Sequence, residues 1–192
     1  MKIGLDIDGF VIDVYDLFFK ELNQRKGTNF KYTDFDSYWI SEPCGITRNE
    51  LVDIFASLDD RKVELCDPNC PAVIDNLIKE GWTVDLISAH IPHKTEGFLP
   101  LYERLTELGI HYNRLIFVDN NDHNAKAKMC ADYDYMVDDG PHHIKAMSTK
   151  TKAIVYDAPY NINVELPTAY ARVSTWSRLE ELLLHDSYRE NT

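Results

Sequence analysis

Two aspartates separated by one residue, Asp6 and Asp8, stand at the end of the first apolar stretch of the chain. Ile3, Leu5 and Ile7 in that stretch are typical of a short buried strand. Side chains two residues apart on a strand point the same way, so both carboxylates can face the crevice at the carboxyl end of a sheet. Two like charges this close repel each other unless a cation or a shared proton compensates them. The pair therefore indicates acid–base or metal chemistry, with a solvent-exposed strand end as the alternative.

Polar residues also end three later apolar stretches, which we interpret as strands. Ser88 ends the second, Asp119 follows the third, and Asp138 and Asp139 follow the fourth. The carboxyl ends of parallel strands gather at one edge of the sheet. Lys128, ten residues before Asp138 in a predicted helix, can reach the same edge. Carboxylates, a hydroxyl and a lysine around a magnesium ion and a phosphate form a favourable set, so the composition predicts phosphoryl transfer.

Each of these residues also has an ordinary structural explanation when it is taken alone. Serine is a preferred helix cap, an Asp-Asp-Gly string favours a turn, and most lysines are solvated. A turn is the expected role of Asp119, and solvent exposure or helix capping is expected for His90, His93, His142 and His143. The site hypothesis therefore depends on the order and spacing of the whole set.

The elements that must position these residues alternate between strands and helices from residue 67 onwards. This alternation predicts a parallel, doubly wound α/β sheet with right-handed crossovers. The predicted strands are 3–7, 82–88, 115–118, 135–137 and 153–156, and the predicted later helices end at Glu80 or cover 96–108, 124–130 and 177–184.

Residues 14–65 interrupt this rhythm and predict a small helical insertion. A helical apolar period ends at Gly27, and Thr47 with Glu50 forms a capping-box pattern that starts a second helix. The aromatic residues between these helices have two interpretations: they form a small core of the insertion, or they line a pocket and stack on a base. The candidates for contacts with a base are Phe35, Tyr38 and Trp39.

The composition is that of an ordinary globular protein, with 44% hydrophobic and 27% charged residues. The net charge of −12 opposes binding to anionic membranes or a stable complex with nucleic acid. The first twenty residues contain four aspartates and no long apolar run, so we expect neither a signal peptide nor a spanning helix. These features predict a cytoplasmic protein. The sequence leaves open whether the chain forms a homodimer.

The four cysteines are too few and too scattered to predict a disulfide framework. A zinc site built from Cys66, Cys70, His90 and His93 is an alternative, but its spacing is poor for structural zinc. Two small residues packing near a helix start explain Cys66 and Cys70 more simply. The remaining cysteines, Cys44 and Cys130, lie far from that pair in the sequence.

Together, these motifs resemble the four motifs of the haloacid dehalogenase superfamily in their usual order. The resemblance covers residues 6–139 and implies a Rossmann-like three-layer sandwich with a parallel sheet and a small helical C1-type cap. It implies a core domain of 1–13 and 66–185, a cap of 14–65 and a frayed C-terminus at 186–192. In chain order, the motif residues are Asp6-Ile7-Asp8-Gly9, Ser88, Lys128 and Asp138-Asp139.

The later part of the chain resembles the cytosolic 5'(3')-deoxyribonucleotidase family more closely. Two features depart from the superfamily pattern. Phe10 stands where threonine or valine is usual, and Lys126 competes with Lys128 for the third motif, although the spacing to Asp138 favours Lys128. The segments that carry this resemblance are Asp157-Ala158-Pro159-Tyr160-Asn161, Arg172-Val173 and Trp176.

The resemblance also implies roles for individual residues. Asp6 is the expected nucleophile, and Asp8 is the expected acid and base. Asp138 is expected to bind Mg²⁺ directly together with Asp6 and the backbone carbonyl of Asp8, while Asp139 holds a metal-bound water. The expected phosphate-binding groups are Ser88, the backbone amide of Ala89, and Lys128.

The predicted function is therefore a magnesium-dependent phosphomonoesterase that acts on nucleoside monophosphates, with deoxyribonucleosides favoured by the second resemblance. Two enzyme alternatives are the hydrolysis of another small phosphate ester and of a phosphate at a nucleic-acid end. The net acidity disfavours the latter. A non-catalytic protein that binds a phospho-ligand is the third alternative, but such a protein has no need of both Asp6 and Asp8.

Overall fold

The structure is a computed structural model, and it describes residues 1–119, 122, 124–148 and 151–190, with the backbone alone for 187–190. The strands are β1 (Lys2–Leu5), β2 (Thr83–Ser88), β3 (Arg114–Phe117), β4 (Tyr135–Asp138), β5 (Lys152–Tyr156) and β6 (Ala171–Val173). The helices are α1 (Val14–Lys26), α2 (Arg48–Phe55), α3 (Cys70–Lys79), α4 (Leu99–Glu107), α5 (Ala125–Met129), α6 (Pro141–Met147) and α7 (Trp176–Glu190).

The strands form a single parallel sheet in the order β3-β2-β1-β4-β5-β6. Consecutive strands run outwards from β1 on one side, and the chain then crosses to β4 on the other side. The strand order therefore reverses between β1 and β4, and open α/β sheets bind their ligands at the carboxyl end of such a reversal.

Two apolar clusters cover the two faces of the sheet. Side chains alternate between them along each central strand; in β4, Tyr135 and Val137 belong to one cluster and Met136 to the other. Helices α3, α4 and α7 complete the first cluster, and α5 and α6 complete the second. This arrangement is the predicted three-layer α/β architecture. No helix in the described part of the chain has the length and apolar character needed to cross a lipid bilayer.

Several element boundaries differ from the sequence predictions. Helix α4 begins at Leu99 rather than residue 96, because residues 93–97 form a turn closed by two backbone hydrogen bonds between His93 and Gly97. Helix α6 and strand β6 were not predicted. The predicted frayed segment 186–192 lies partly outside the described residues, and the backbone stays helical to Glu190.

The cap segment, residues 14–65, begins and ends at two neighbouring stretches of backbone that are hydrogen-bonded to each other. Asp13 N donates to the Glu64 carbonyl at 2.8 Å, and Cys66 N donates to the Val11 carbonyl at 3.1 Å. Helix α1 ends at Gly27 with a φ of 66°, as predicted. The predicted capping box is also confirmed: Thr47 Oγ1 accepts from Glu50 N while the Glu50 carboxylate accepts from Thr47 N. The two backbone hydrogen bonds to Glu64 and Val11 fix the cap segment where it joins the sheet.

Phe10 packs the turn after β1 against the C-terminal helix. Its ring stacks on Trp176 with centroids 4.4 Å apart and meets Tyr156 edge-on at 4.8 Å. The Trp176 indole also donates to the Phe10 carbonyl at 3.2 Å. The aromatic residue that departs from the superfamily pattern therefore ties α7 to the segment carrying Asp8.

Replacing Phe10 tests this packing. Phe10→Ala should lower the free energy of unfolding by about 3 to 5 kcal/mol, because it opens a cavity between rings that cannot close fully. Urea denaturation of the wild type, Phe10→Ala and Phe10→Leu measures the effect. The leucine variant keeps most of the volume and should lose clearly less. A loss below about 1 kcal/mol in Phe10→Ala contradicts the packing role.

Candidate active site

Three strands bring polar residues to one edge of the sheet. Asp6 directly follows β1, Ser88 ends β2 and Asp138 ends β4. The backbone N–H of Asp6 donates to the Val137 carbonyl at 3.0 Å, so the pairing of β1 with β4 continues into the site. The structure thus places the residues of three sequence motifs at the reversal of strand order.

Asp6, Asp138 and Asp139 form a buried carboxylate cluster. One oxygen from each lies within 4.8 Å of the others. Burial raises the pKa of Asp6 well above its ordinary value, although the Lys126 ammonium opposes the rise. Burial and the neighbouring Asp138 together raise the pKa of Asp139 to about 7. Both shifts have the same cause, which is the free-energy cost of ionising several carboxylates in one dry space.

Lys126 supplies a cation to this cluster. Its Nζ lies 2.8 Å from Asp6 Oδ1 and 2.6 Å from Asp138 Oδ2, and the residue is 2% exposed. Burial lowers the pKa of Lys126, but the two carboxylates outweigh burial and raise it. For Asp138 the effects are reversed: burial raises its pKa, but its charged and hydrogen-bonding neighbours, chiefly Lys126, outweigh burial and bring the pKa below its ordinary value. The carboxylates therefore favour the charged form of the lysine, and the lysine favours the charged form of Asp138.

The structure corrects the prediction that Lys128 belongs to the site. Lys128 pairs with Asp122 instead of the cluster, and most of its side chain is exposed. Residues two apart on an α-helix lie on roughly opposite faces, so α5 can present only one of the two lysines to the carboxylates. Lys126 shares its buried face with Cys130, four residues later, whose Sγ contacts the Lys126 carbonyl at 3.4 Å. The ten-residue spacing to Asp138 favours Lys128 in the sequence, but spacing alone does not show which face of α5 meets the carboxylates.

The C-terminal part of the chain holds Asp139 in place. Tyr160 donates its hydroxyl hydrogen to Asp139 Oδ2, and Asn161 Nδ2 donates to the Asp139 carbonyl at 2.8 Å. Gly9 closes the other side: its φ is 79°, and a Cβ there would lie 2.6 Å from Asp139 Oδ2. The sequence assigns no role to Tyr160, and the structure places its hydroxyl on the acidic cluster.

Asp8 lies beside the cluster but has different partners. Its Oδ2 accepts a hydrogen bond from Ser88 Oγ at 3.0 Å, and its Oδ1 lies 2.8 Å from His90 Nδ1. Burial raises the pKa of Asp8, but His90 and the Ser88 hydroxyl outweigh burial and bring it below its ordinary value. The two aspartates of the first motif therefore have opposite pKa shifts, which is typical of a pair with separate chemical tasks.

His90 also contacts Asp60 and is buried. Burial lowers the pKa of His90, but Asp8 and Asp60 outweigh burial and raise it to about 10. The expectation of an exposed or capping histidine is therefore wrong for His90. It describes His93 better, since Glu96 N donates to His93 Nδ1 at 3.3 Å. The zinc alternative gains no support, because both ring nitrogens of His90 face carboxylates.

A cavity of about 310 Å³ opens over these residues, between the sheet edge and the cap segment. Core residues Asp6, Asp8, Ser88, Ala89, Asp119, Lys126 and Asp139 line its floor, together with His142 and His143. From the cap segment, the lining residues include Tyr38, Trp39, Arg48, Leu51 and Phe55. The cavity therefore has a charged floor and a largely apolar, aromatic roof.

The three predicted base contacts divide between the cavity and the interior of the cap. Tyr38 and Trp39 line the cavity, and both rings face His142, at centroid distances of 4.6 and 5.5 Å. Phe35 is instead buried in the apolar cluster of the cap segment and stacks on Phe19 at 5.2 Å. Phe35 is thus corrected to the small-core interpretation, because the cap helices need apolar rings to hold them together.

The acidic cluster fits a magnesium ion. Magnesium binds oxygen ligands and is usually held by one or two carboxylates, with water and phosphate completing its shell. The cluster offers three carboxylates with oxygens close enough to share one ion, at the floor of a cavity that can admit a phosphate. The raised pKa values of Asp6 and Asp139 indicate that more positive charge would be accommodated there.

A scan against protein-family models finds no match to this sequence, and a search of curated proteins finds none either. Solved structures match nearly the whole chain. A predicted phosphoglycolate phosphatase from Haemophilus somnus aligns with a TM-score of 0.65 and 12% identity, covering 94% of this chain and 96% of that one. A HAD-superfamily hydrolase of subfamily IA, variant 1, from Geobacter sulfurreducens gives 0.58 and 14%, covering 95% of each chain.

CbbY from Rhodobacter sphaeroides, solved in complex with phosphate, gives a TM-score of 0.58 and 12% identity, covering 93% of this chain and 95% of that one. At this identity, the similarity establishes the fold alone. The predicted fold class is confirmed: the chain has the parallel α/β fold of haloacid dehalogenase hydrolases. The more specific resemblance to deoxyribonucleotidases stays a prediction from the sequence.

The two lysines of α5 provide a matched test of the cluster. Lys126→Met should lower the free energy of unfolding at pH 8 by about 3 to 5 kcal/mol, because it leaves buried carboxylates without their cation. Lys128→Met should change it by no more than about 0.5 kcal/mol, as is usual at exposed positions. Urea denaturation in magnesium-free buffer compares the two variants. Equal losses in both would contradict the placement of Lys126.

Proposed function

We propose that this chain, with the fold of haloacid dehalogenase hydrolases, is a magnesium-dependent phosphomonoesterase that hydrolyses nucleoside monophosphates, preferably deoxyribonucleotides. The observation that carries this proposal is the arrangement of Asp6 and Asp8 in one cavity with Lys126 and Ser88. The pair combines a fixed carboxylate with a second acid that makes separate contacts, as two-step phosphoryl transfer through an aspartyl-phosphate requires.

Asp6 is the proposed nucleophile. Its Oδ1 accepts from Ile7 N at 2.7 Å and contacts Lys126 Nζ, so the carboxylate is fixed in orientation and Oδ2 is assigned as the attacking oxygen. Oδ2 forms a bond to phosphorus while the bond between phosphorus and the leaving oxygen breaks. Asp8 donates a proton to that oxygen, which leaves as an alcohol. The product of this half-reaction is an aspartyl-phosphate at Asp6.

Water completes the cycle. Asp8, now ionised, accepts a proton from a water molecule whose oxygen attacks phosphorus, and the bond from phosphorus to Asp6 breaks to release inorganic phosphate. Asp8 must therefore carry a proton in the first step, although Ser88 and His90 lower its pKa in this structure. A bound phosphate that accepts the Ser88 hydroxyl would remove one of these hydrogen bonds and add nearby negative charge. Both changes raise the pKa of Asp8 towards the working range.

Phosphate binding is assigned to groups on three segments. Ser88 and the backbone amide of Ala89 lie at the cavity floor and can donate to phosphate oxygens. Lys126 replaces Lys128 as the proposed lysine of this set, because it contacts Asp6 directly. Asp6, Asp138 and Asp139 would hold Mg²⁺ with the backbone carbonyl of Asp8. The ion, when bound, would neutralise the phosphate charge and that of the carboxylates around it.

The aromatic rings on one side of the cavity favour a substrate that carries an aromatic group. Tyr38, Trp39 and His142 bring three rings to one side of the cavity, and Trp39 remains 53% exposed. An exposed tryptophan next to a phosphate-binding floor can stack on a nucleobase, which is favourable for every base. This geometry supports a nucleoside monophosphate over a small ester without a ring. Preference for deoxyribose rests on the sequence resemblance alone.

A phosphate-release assay tests the reaction. The wild type with Mg²⁺ should hydrolyse an aryl phosphate and at least some ribo- or deoxyribonucleoside monophosphates. Asp6→Asn should lose at least about a thousandfold in kcat, because an amide cannot serve as the nucleophile. Asp8→Asn should lose about a hundredfold or more, as expected for removal of a general acid and base. Excess chelator should abolish wild-type activity, and added Mg²⁺ should restore it.

Circular dichroism of each variant controls for folding. Activity in a folded Asp6→Asn variant contradicts the nucleophile assignment, and activity in excess chelator contradicts the metal requirement. If the enzyme hydrolysed other phosphate esters but no nucleoside monophosphate, the phosphatase activity would stand and the nucleotide substrate would be rejected.

Trp39→Ala tests the base-binding role. Loss of a stacking surface should raise the KM for a nucleoside monophosphate by about tenfold, since one stacking contact is worth about 1 to 3 kcal/mol. The KM for a small phosphate without a ring should hardly change. Tyr102→Ala, at an exposed aromatic residue of α4 outside the cavity lining, is the control. Equal effects of Trp39→Ala on both substrates would assign Trp39 to cap packing instead.

A further inference from the structure

His90 links two carboxylates from different parts of the fold. Its Nδ1 lies 2.8 Å from Asp8 Oδ1, and its Nε2 lies 3.0 Å from Asp60 Oδ2. Its backbone N–H donates to Ser88 Oγ at 3.0 Å, which fixes the residue at the end of β2. Carboxylates only accept hydrogen bonds, so both ring nitrogens act as donors in this arrangement. Charge-assisted bonds at both ends hold the ring in one orientation.

We propose that His90 is a positioning residue that keeps Asp8 oriented for proton transfer, an inference that rests on the proposed function. Asp8 has two oxygens, and both are engaged: Oδ1 with His90 and Oδ2 with Ser88. The Ser88 hydroxyl is also a proposed phosphate ligand. A phosphate that accepts this hydroxyl frees Oδ2 to exchange a proton with the leaving oxygen or water. Oδ1 stays on His90, so the carboxylate keeps its orientation while one oxygen becomes reactive.

Asp60 anchors the other side of His90 and lies on the returning part of the cap segment, in the 3₁₀ turn Asp60–Lys62. Asp60 is 2% exposed. The neighbouring Arg61 pairs with Glu96 at 2.7 Å and Glu103 at 2.5 Å, which attaches this turn to the segment after β2 and to α4. The contacts from Asp8 through His90 to Asp60 therefore connect the proposed general acid and base, Asp8, to the returning part of the cap segment.

A purely structural role for His90 is the competing explanation, since removing a cation that contacts the buried Asp60 and the partly buried Asp8 leaves their charge uncompensated. Side-chain geometry separates the two explanations. The amide nitrogen of asparagine lies two bonds from Cβ, as does histidine Nδ1, whereas that of glutamine lies three bonds away, as does Nε2. His90→Asn can thus keep a donor to Asp8 and lose Asp60, while His90→Gln can keep a donor to Asp60 and lose Asp8.

The experiment measures kcat and KM of both variants with two substrates. One is an alkyl phosphate, whose leaving oxygen needs a proton, and the other is 4-nitrophenyl phosphate, whose leaving group needs little help. We expect His90→Gln to lower kcat for the alkyl ester by at least about tenfold with KM nearly unchanged, because general acid catalysis is impaired. With the aryl ester it should show a burst of one equivalent of nitrophenol, since water attack on the phosphoenzyme still needs Asp8. His90→Asn should recover much of the lost kcat.

The positioning role would be overturned if both variants lost kcat equally on both substrates and the loss were proportional to the fall in their melting temperatures. Wild-type kcat in a folded His90→Gln would overturn it as well. If His90→Gln does not fold, Asp60→Ala is the second variant: it should lower the ratio of alkyl to aryl kcat/KM, which reports the phosphorylation step, by at least about threefold, and an unchanged ratio rejects the proposal. Failure of the proposed function gives a different result, because Asp6→Asn then remains active or the wild type forms no phosphoenzyme.

Discussion

The compensation of charge around Asp6 is the constraint on which the site depends. Asp6, Asp138 and Asp139 come from two adjacent strand ends, and their oxygens lie within 4.8 Å of one another in a space that excludes most water. Carboxylates in such a place either gain a cation or take up protons. Lys126 provides one ammonium, and the raised pKa values of Asp6 and Asp139 indicate further demand for positive charge. A divalent cation is chemically matched to that demand.

The same constraint explains how the elements around the site are arranged. Asp139 is held by Tyr160 and Asn161 from the loop after β5, and Gly9 gives it room on the other side. Asp8 is held by groups at the end of β2, and through His90 it reaches the returning part of the cap segment. Each acid therefore has its own set of supporting contacts. Asp6 instead contacts Ile7 N and Lys126, so the two aspartates of one short motif differ in pKa and in proposed role.

In the proposed function, the cap segment provides substrate selectivity, and the residues at the sheet edge provide the chemistry. Its own apolar cluster, which includes Phe35, makes it a small folded layer rather than a loose loop. That packing presents Tyr38 and Trp39 to the cavity opposite the carboxylate floor. The proposed function thus assigns phosphate chemistry to the sheet edge and recognition of the rest of the substrate to the cap segment.

The sequence by itself determined the α/β class, the order of the central strands along the chain and the acids at their ends, because periodicity and strand-end chemistry are local properties. It also determined the C-cap of α1 at Gly27 and the N-cap of α2 at Thr47. Tertiary structure alone decided between Lys126 and Lys128, placed Phe35 inside the cap segment, and joined His90 to Asp60. These outcomes depend on which helix face meets the sheet and on residues distant in sequence. Local spacing does not encode such contacts, since they arise only when separate elements pack together.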